Sequence, residues 1–285
     1  MGRSQKSFSR KVNLILILFL LISGSAFTQT NMIHIPAGTF MMGDASGLGE
    51  ADELPLRNIS LQGFSIGKYE VTFMEYDAFC QATWTEKPED NGWGRGMRPV
   101  INVSWYDAVL YCNWRSTQEG LTPCYTIDKI HPDTANKSVQ DLDRWMVECN
   151  FNANGYRLPT EAEWEFAARA GNAAVPLPVV GIDSVAWYNA NAKVMTRLVG
   201  LKRANALGIH DLSGNVAEWC WDWYQGSYEG FGTHNPTEAT TGEARVIRGG
   251  SWEDSPNELR ITNRNALSPH LRNQRNVGFR LVRKG

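Results

Sequence analysis

Gly155-Tyr-Arg-Leu-Pro-Thr-Glu-Ala-Glu-Trp-Glu-Phe-Ala-Ala-Arg169 is the stretch from which the fold of this 285-residue chain is read. Its second half carries helix start and stop signals. Thr160 is an N-cap, Glu163 completes a capping box three residues on, and Gly171 lies just past the end. Two more helices are marked upstream in the same way. Thr72 with Glu75 opens one over 73–81, and Ser104 with Asp107 opens another that runs to Trp114. In the latter, Val103, Ala108, Tyr111 and Cys112 fall near one face. Between the helices the apolar runs are short. Residues 32–43 read as strand, turn, strand, with Pro36-Ala-Gly38 at the turn, and 56–69 alternates as strands do. Glu50, Asp52 and Glu53 fall in a loop. Residues 117–151 form a polar, irregular insertion with some strand, and 278–282 is a closing strand. With no repeat or heptad run, and with Gly, Pro and Asn scattered throughout, the expected class is α+β: few helices, short antiparallel strands and many turns.

Composition narrows the function classes. Hydrophobic residues make up 42% and charged residues 20% of the chain, with 26 Gly and 11 Trp, which suits a sizeable core rather than disorder. Mean hydropathy is −0.35, so a polytopic membrane protein is excluded. Residues 1–28 hold Arg3, Lys6, Arg10 and Lys11 and no acid; setting these aside leaves 24 bases against 30 acids, a net of −6. So acidic a body lacks the basic footprint of a nucleic-acid binder.

The same 28 residues read as a secretory signal peptide: a basic stretch, the apolar run 14–22, then small residues Ser23-Gly-Ser-Ala26. The run is short for a membrane span, so no span is expected after its removal, and an uncleaved anchor helix is the alternative. Residues 29–285 are then one extracytoplasmic domain, periplasmic or secreted. All five cysteines, Cys80, Cys112, Cys124, Cys149 and Cys220, fall within it. They show no CxxC and no zinc spacing. In an oxidising compartment a bridge among Cys112, Cys124 and Cys149 stands beside buried free thiols as the expectation, and the pairing stays open.

An ordered set of motifs resembles one known family. It comprises Ile35-Pro-Ala-Gly-Thr-Phe-Met-Met-Gly43, Tyr69-Glu-Val-Thr72, Pro99-Val-Ile-Asn-Val-Ser-Trp-Tyr-Asp-Ala108 and the stretch quoted first. It continues with Asn205-Ala-Leu-Gly-Ile-His-Asp-Leu-Ser-Gly-Asn-Val-Ala-Glu-Trp219, Arg248-Gly-Gly-Ser-Trp252 and Asn276-Val-Gly-Phe-Arg280. The chain resembles the formylglycine-generating enzyme, or sulfatase-modifying factor, family over residues 31–283. The resemblance implies a fold related to C-type lectins. It also implies an oxidase that converts a sulfatase cysteine to formylglycine with copper held by two cysteines. At those two positions this chain has Asp254 and Leu259, and its last cysteine is Cys220. Copper is therefore not expected, since soft thiolates are what select Cu(I).

A calcium loop does carry over from the resemblance, at Asp211, Gly214, Val216 and Glu218; two carboxylates with main-chain carbonyls suit a hard cation in a structural role. The rival reading is a polar turn held by Asn215 and Glu218. Catalytic candidates are Ser251, Glu253 and Asp254, with a turn residue and a solvated loop as the alternatives. The 219–223 tryptophan run and Trp252 are either a ligand groove or core. Asn263, Arg264, Asn265, Arg272, Asn273, Arg275 and Asn276 either recognise an anion or brace loops. The functional expectation is a calcium-stabilised binding or scaffold module, a pseudoenzyme whose ligand is a protein, small molecule or glycan. The alternative is a divergent extracytoplasmic oxidase or maturation factor using the same groove.

Overall fold

The computed structural model describes residues 31–171, 181–237 and 240–285. The expected signal peptide lies outside them. Among the described residues no helix is long and apolar enough to cross a membrane.

The α+β class holds: among the described residues three α-helices stand with twelve short strands. β1 (Met32–Ile35), β4 (Phe64–Gly67), β12 (Val282–Lys284) and β7 (Tyr156–Arg157) form one sheet in that order. β10 (Arg264–Leu267), β9 (Arg245–Arg248), β8 (Ala217–Trp223) and β11 (Val277–Gly278) form the second. β2 (Gly38–Met42) with β3 (Arg57–Leu61), and β5 (Tyr125–Pro132) with β6 (Trp145–Cys149), make two-stranded ribbons. The first two strands thus never pair with one another; Pro36-Ala-Gly38 carries the chain from a sheet to a ribbon. The insertion is largely the β5–β6 ribbon. The closing strand is also two: β11 runs parallel to β8, and β12 lies between β4 and β7. Phe279 and Leu281 between them are buried, so the run stitches the two sheets together.

The helices start where their caps place them. α1 (Phe73–Thr83), α2 (Trp105–Gln118) and α3 (Glu161–Ala168) each open on the expected capping box, at Thr72, Ser104 and Thr160. α2 runs four residues past Trp114, because Arg115 and Ser116 are themselves buried and hold the last turn against the core. α1 and α2 pack in one apolar cluster with Trp219 and Phe279; α3 belongs to a second with Phe40, Ile66 and Val246.

Every residue of α3 is buried, including three glutamates. An isolated buried carboxylate is prohibitively costly, so each finds a guanidinium. Glu161 takes Arg264 on both oxygens, at 2.7 and 2.9 Å. Glu163 takes Arg157 on both, at 2.6 Å each. Glu165 is shared between Arg169 at 2.8 Å and Arg248 at 2.5 Å, and also accepts the Gly43 N–H at 2.9 Å.

All five cysteines are free thiols, four of them buried, so the expected bridge among Cys112, Cys124 and Cys149 is not formed. Tyr125 stands opposite Cys149 in the β5–β6 ladder, and Cys124 is a bend residue just before it, its thiol on the Gly155 carbonyl. Burial pushes the Cys149 thiol up to about 12 and Cys80 up to about 11, so neither is a ready nucleophile.

Two predictions follow from α3. Glu165→Ala leaves Arg169 and Arg248 without their buried partner, and should cost about 3–5 kcal/mol in urea unfolding, more than an average core truncation. Burial alone would raise the carboxyls of Glu161 and Glu53, but their arginine neighbours, Arg264 with Arg248 and Arg260, hold both below the ordinary 4.5. Their stabilisation is complete above 4.5 and drains away as pH falls below it. The unfolding midpoint should therefore drop on going below pH 4.5, with a shallower fall in Glu53→Gln.

Candidate functional site

α3 also aims two loops at each other. Its Trp164 indole N–H donates to Glu218 Oε2 at 2.7 Å, and its ring packs where a side chain on Gly249 would stand, 3.1 Å from a Cβ built there. Arg248, held by Glu165, introduces the second loop, Gly249-Gly250-Ser251-Trp252-Glu253-Asp254.

The first loop, 211–216, is a tight left-handed turn: Asp211, Gly214 and Asn215 have φ of 57°, 79° and 63°. Only glycine fits at 214, since a Cβ there would lie 2.1 Å from the Trp187 carbonyl oxygen. The two loops are laced together by main-chain bonds. The Gly214 N–H donates to the Gly249 carbonyl at 2.9 Å, and the Trp252 N–H to the Asn215 carbonyl at 2.9 Å. A third segment joins them through Asn215 N–H to the Trp187 carbonyl and Asn189 N–H to the Asp254 carbonyl, at 2.8 and 3.1 Å.

Beneath the first loop lie three buried carboxyl groups, Glu70, Asp211 and Glu218, facing Arg280. Glu218 is held by Arg280 through both oxygens, at 2.6 and 2.5 Å. Glu70 accepts the Asn215 amide at 2.7 Å and the Val216 N–H at 3.2 Å. Asp211 Oδ2 accepts the Gly200 N–H at 2.7 Å, whereas its buried Oδ1 has no hydrogen-bond partner. Burial, with Asp211 and Glu218 nearby, pushes the Glu70 carboxyl well above the usual range; burial raises Asp211 as well.

Of the expected calcium ligands, the structure keeps Asp211, Gly214 and Val216 on one turn. It shows Glu218 already engaged by Arg280 and Trp164. Among the described residues no three His, Cys, Asp or Glu side chains are grouped as a metal site would need. A cation here must therefore draw on main-chain oxygens. The observation in its favour is Asp211 Oδ1, a buried carboxyl oxygen with no hydrogen-bond partner, beside Glu70 and Glu218.

The three catalytic candidates separate. The Ser251 hydroxyl donates to Asp254 Oδ2 at 2.7 Å, and Ser251 is fully buried, which makes it a turn-former and not an accessible nucleophile. Burial raises the Asp254 carboxyl above the ordinary aspartate range. Glu253 points elsewhere and pairs with Arg275 at 3.0 Å. Leu259, five residues beyond Asp254, is fully buried with Ala186 and Tyr188.

Trp252 is 2% exposed. Its N–H donates to the Arg275 carbonyl at 3.1 Å, and its ring meets the edge of the half-exposed Trp93 at a centroid distance of 5.3 Å. Of the 219–223 run, Trp219 and Trp223 are core and Trp221 is half-buried under Tyr125. The C-terminal arginines brace: Arg264 on Glu161, Arg272 on Asp107 and Arg275 on Glu253. Sequence reading missed Glu70 and Arg280 as site residues. Both lay inside quoted motifs, Tyr69-Glu-Val-Thr72 and Asn276-Val-Gly-Phe-Arg280, where an ionisable residue among apolar neighbours was the available signal.

Comparison with known proteins places this geometry. The sulfatase-modifying factor enzyme 1-like domain matches residues 20–285. The chaperone protein LppX of Paenibacillus barcinonensis is 37% identical, over 92% of each chain. The formylglycine-generating enzyme of Thermomonospora curvata is 30% identical, over 87% of this chain and 92% of its own. Among solved structures, Treponema denticola variable protein 1 superposes with a TM-score of 0.75 at 32% identity, covering 89% of this chain and 95% of its own. The chain belongs to the sulfatase-modifying factor, or formylglycine-generating enzyme, family.

Proposed function

We propose that the protein is an extracytoplasmic binding or scaffold member of its family, stabilised by calcium and lacking the thiolate–copper oxidase chemistry. One observation carries the reading. Where the family's oxidases hold copper with two cysteines, this chain has Asp254, hydrogen-bonded to Ser251, and Leu259, a fully buried side chain with no donor atom. No change of rotamer makes a thiolate pair from these residues. The basic and apolar residues 1–28 support export. A relative over nearly the whole chain bears the name of a chaperone, which supports a protein as the bound partner. The exposed edge of Trp93 and the Arg275–Glu253 pair are the groups such a ligand would meet beside the two loops.

A calcium ion would be held by Asp211 and the main-chain carbonyls of Gly214 and Val216, with Glu218 contributing only what Arg280 and Trp164 leave free. It would neutralise the buried carboxyl cluster and fix the left-handed turn. Binding at about 100 times its Kd adds about 2.7 kcal/mol, or roughly 5–10 °C in Tm. The expected result is a Tm that rises by that amount with calcium over chelator, and an Asp211→Ala variant that no longer responds. Equal melting of the wild type in both conditions removes calcium from the account.

The alternative of a divergent enzyme rests on the raised carboxyl of Asp254, a candidate general acid. Assay of the wild type and Asp254→Asn with a cysteine peptide, cuprous copper and oxygen separates the two readings. No aldehyde product from either is expected. Turnover by the wild type that Asp254→Asn abolishes, with near-ultraviolet circular dichroism unchanged, would overturn the scaffold reading.

A further inference from the structure

The segment 184–210, which braces both loops through Trp187, Asn189, Arg197 and Gly200, departs from the acidic body. It contains Lys193, Arg197, Lys202 and Arg203 and no Asp or Glu. The same segment displays large aliphatic side chains to solvent: Val194 is 69%, Leu198 41% and Leu201 61% exposed. Met74 and Met97, 50% and 42% exposed, stand beside them. The main chain ties these into one face. The Met74 N–H donates to the Gly96 carbonyl at 2.9 Å, and the Val199 N–H to the Met97 carbonyl at 3.0 Å. Arg98 reaches the Thr196 carbonyl. Gly200, between Leu198 and Leu201, lies against the Tyr69 ring, and Lys68 with Met74 and Met97 lines the adjoining cleft.

Arg197 and Lys202 are half-buried against Trp187, donate to the Ala192 and Asp183 carbonyls, and Lys202 feels Asp183 and Asp211, whereas Lys193 and Arg203 are exposed. Glu70 and Asp211 are buried, Glu75 is spent on the α1 capping box, and Asp183 accepts from Tyr188 and Asn191. The backbone supplies a second, independent sign. Lys193 and Val194 are consecutive left-handed residues, with φ of 55° and 60°. A β-branched residue is strongly disfavoured there, and the turn is held by its buried flanks Ala192 and Thr196, whose carbonyls accept from Arg197 and Arg98. Here it holds an apolar side chain out into solvent.

We propose that this face docks on an anionic phospholipid bilayer, with the aliphatic tips entering the headgroup boundary and the exposed Lys193 and Arg203 meeting lipid phosphates. Protein interfaces are depleted in lysine and anchored by aromatic side chains. This face has exposed Lys193 with aliphatic tips spread over separate loops, the composition of a membrane-surface contact.

The test is co-sedimentation of the full chain with vesicles of phosphatidylcholine, alone or mixed with phosphatidylglycerol. Binding should favour the anionic vesicles and weaken with salt. It should fall about ten-fold or more in Lys193→Glu/Arg203→Glu and in Leu198→Ser/Leu201→Ser. Because residues 14–22 could bind lipid on their own, an environment-sensitive dye on Val194→Cys reports the face itself. Its emission should shift to the blue with anionic vesicles only. Near-ultraviolet circular dichroism shows whether each variant is folded. An unshifted dye, or folded variants that bind like the wild type, overturns the proposal. A dye that shifts instead with an acidic protein and not with vesicles overturns it in favour of a protein partner.

Discussion

The burial of α3 is the constraint on which the rest of the structure depends. Eight residues enclosed on every side carry three carboxylates, and the chain can bury them only by bringing in guanidinium groups from distant positions. Arg157 comes from β7, Arg248 from β9 and Arg264 from β10, so one short helix ties strands from both sheets. Because each pair is desolvated, losing one partner costs far more than an exposed ion pair contributes. The arrangement therefore specifies one packing of the sheets more than it adds net stability.

That packing in turn sets the two loops. Trp164 touches both Glu218 and Gly249, and Arg248 links α3 to the glycine pair. With little regular structure nearby, loop geometry rests on main-chain bonds between the loops and on left-handed residues that the enclosing contacts enforce. A scaffold held this way tolerates the exchange of functional side chains at its surface. Asp254 and Leu259 are satisfied in place, one by Ser251 and one by apolar neighbours. Fold and site chemistry are carried by different residues.

The acidic body and the cationic 184–210 segment show a similar division. Around α3 the buried carboxylates are met by guanidiniums; outside, one left-handed turn departs from the charge of its surroundings and from the burial of its apolar side chains. Val194 is held between the buried Ala192 and Thr196, whose carbonyls accept from Arg197 and Arg98, while its own side chain stays in solvent.

What the sequence determined by itself was local or carried in ordered motifs. Capping boxes at Thr72, Ser104 and Thr160 mark all three helix starts because a cap involves only four consecutive residues. The family, and with it the α+β class, was legible from motifs spread over the chain. The absence of the cysteine pair could be read directly from Asp254 and Leu259. Tertiary structure decided everything that depends on partners far apart in the chain. It decided that 278–282 is split between two sheets, and that Cys112, Cys124 and Cys149 remain free thiols. It turned Glu218 toward Arg280, and made Ser251 a buried turn residue while Glu253 reached Arg275. The physical reason is the range of the interactions: caps and turns are satisfied within a few residues, whereas a buried charge is satisfied by whichever opposite charge the packing brings to it.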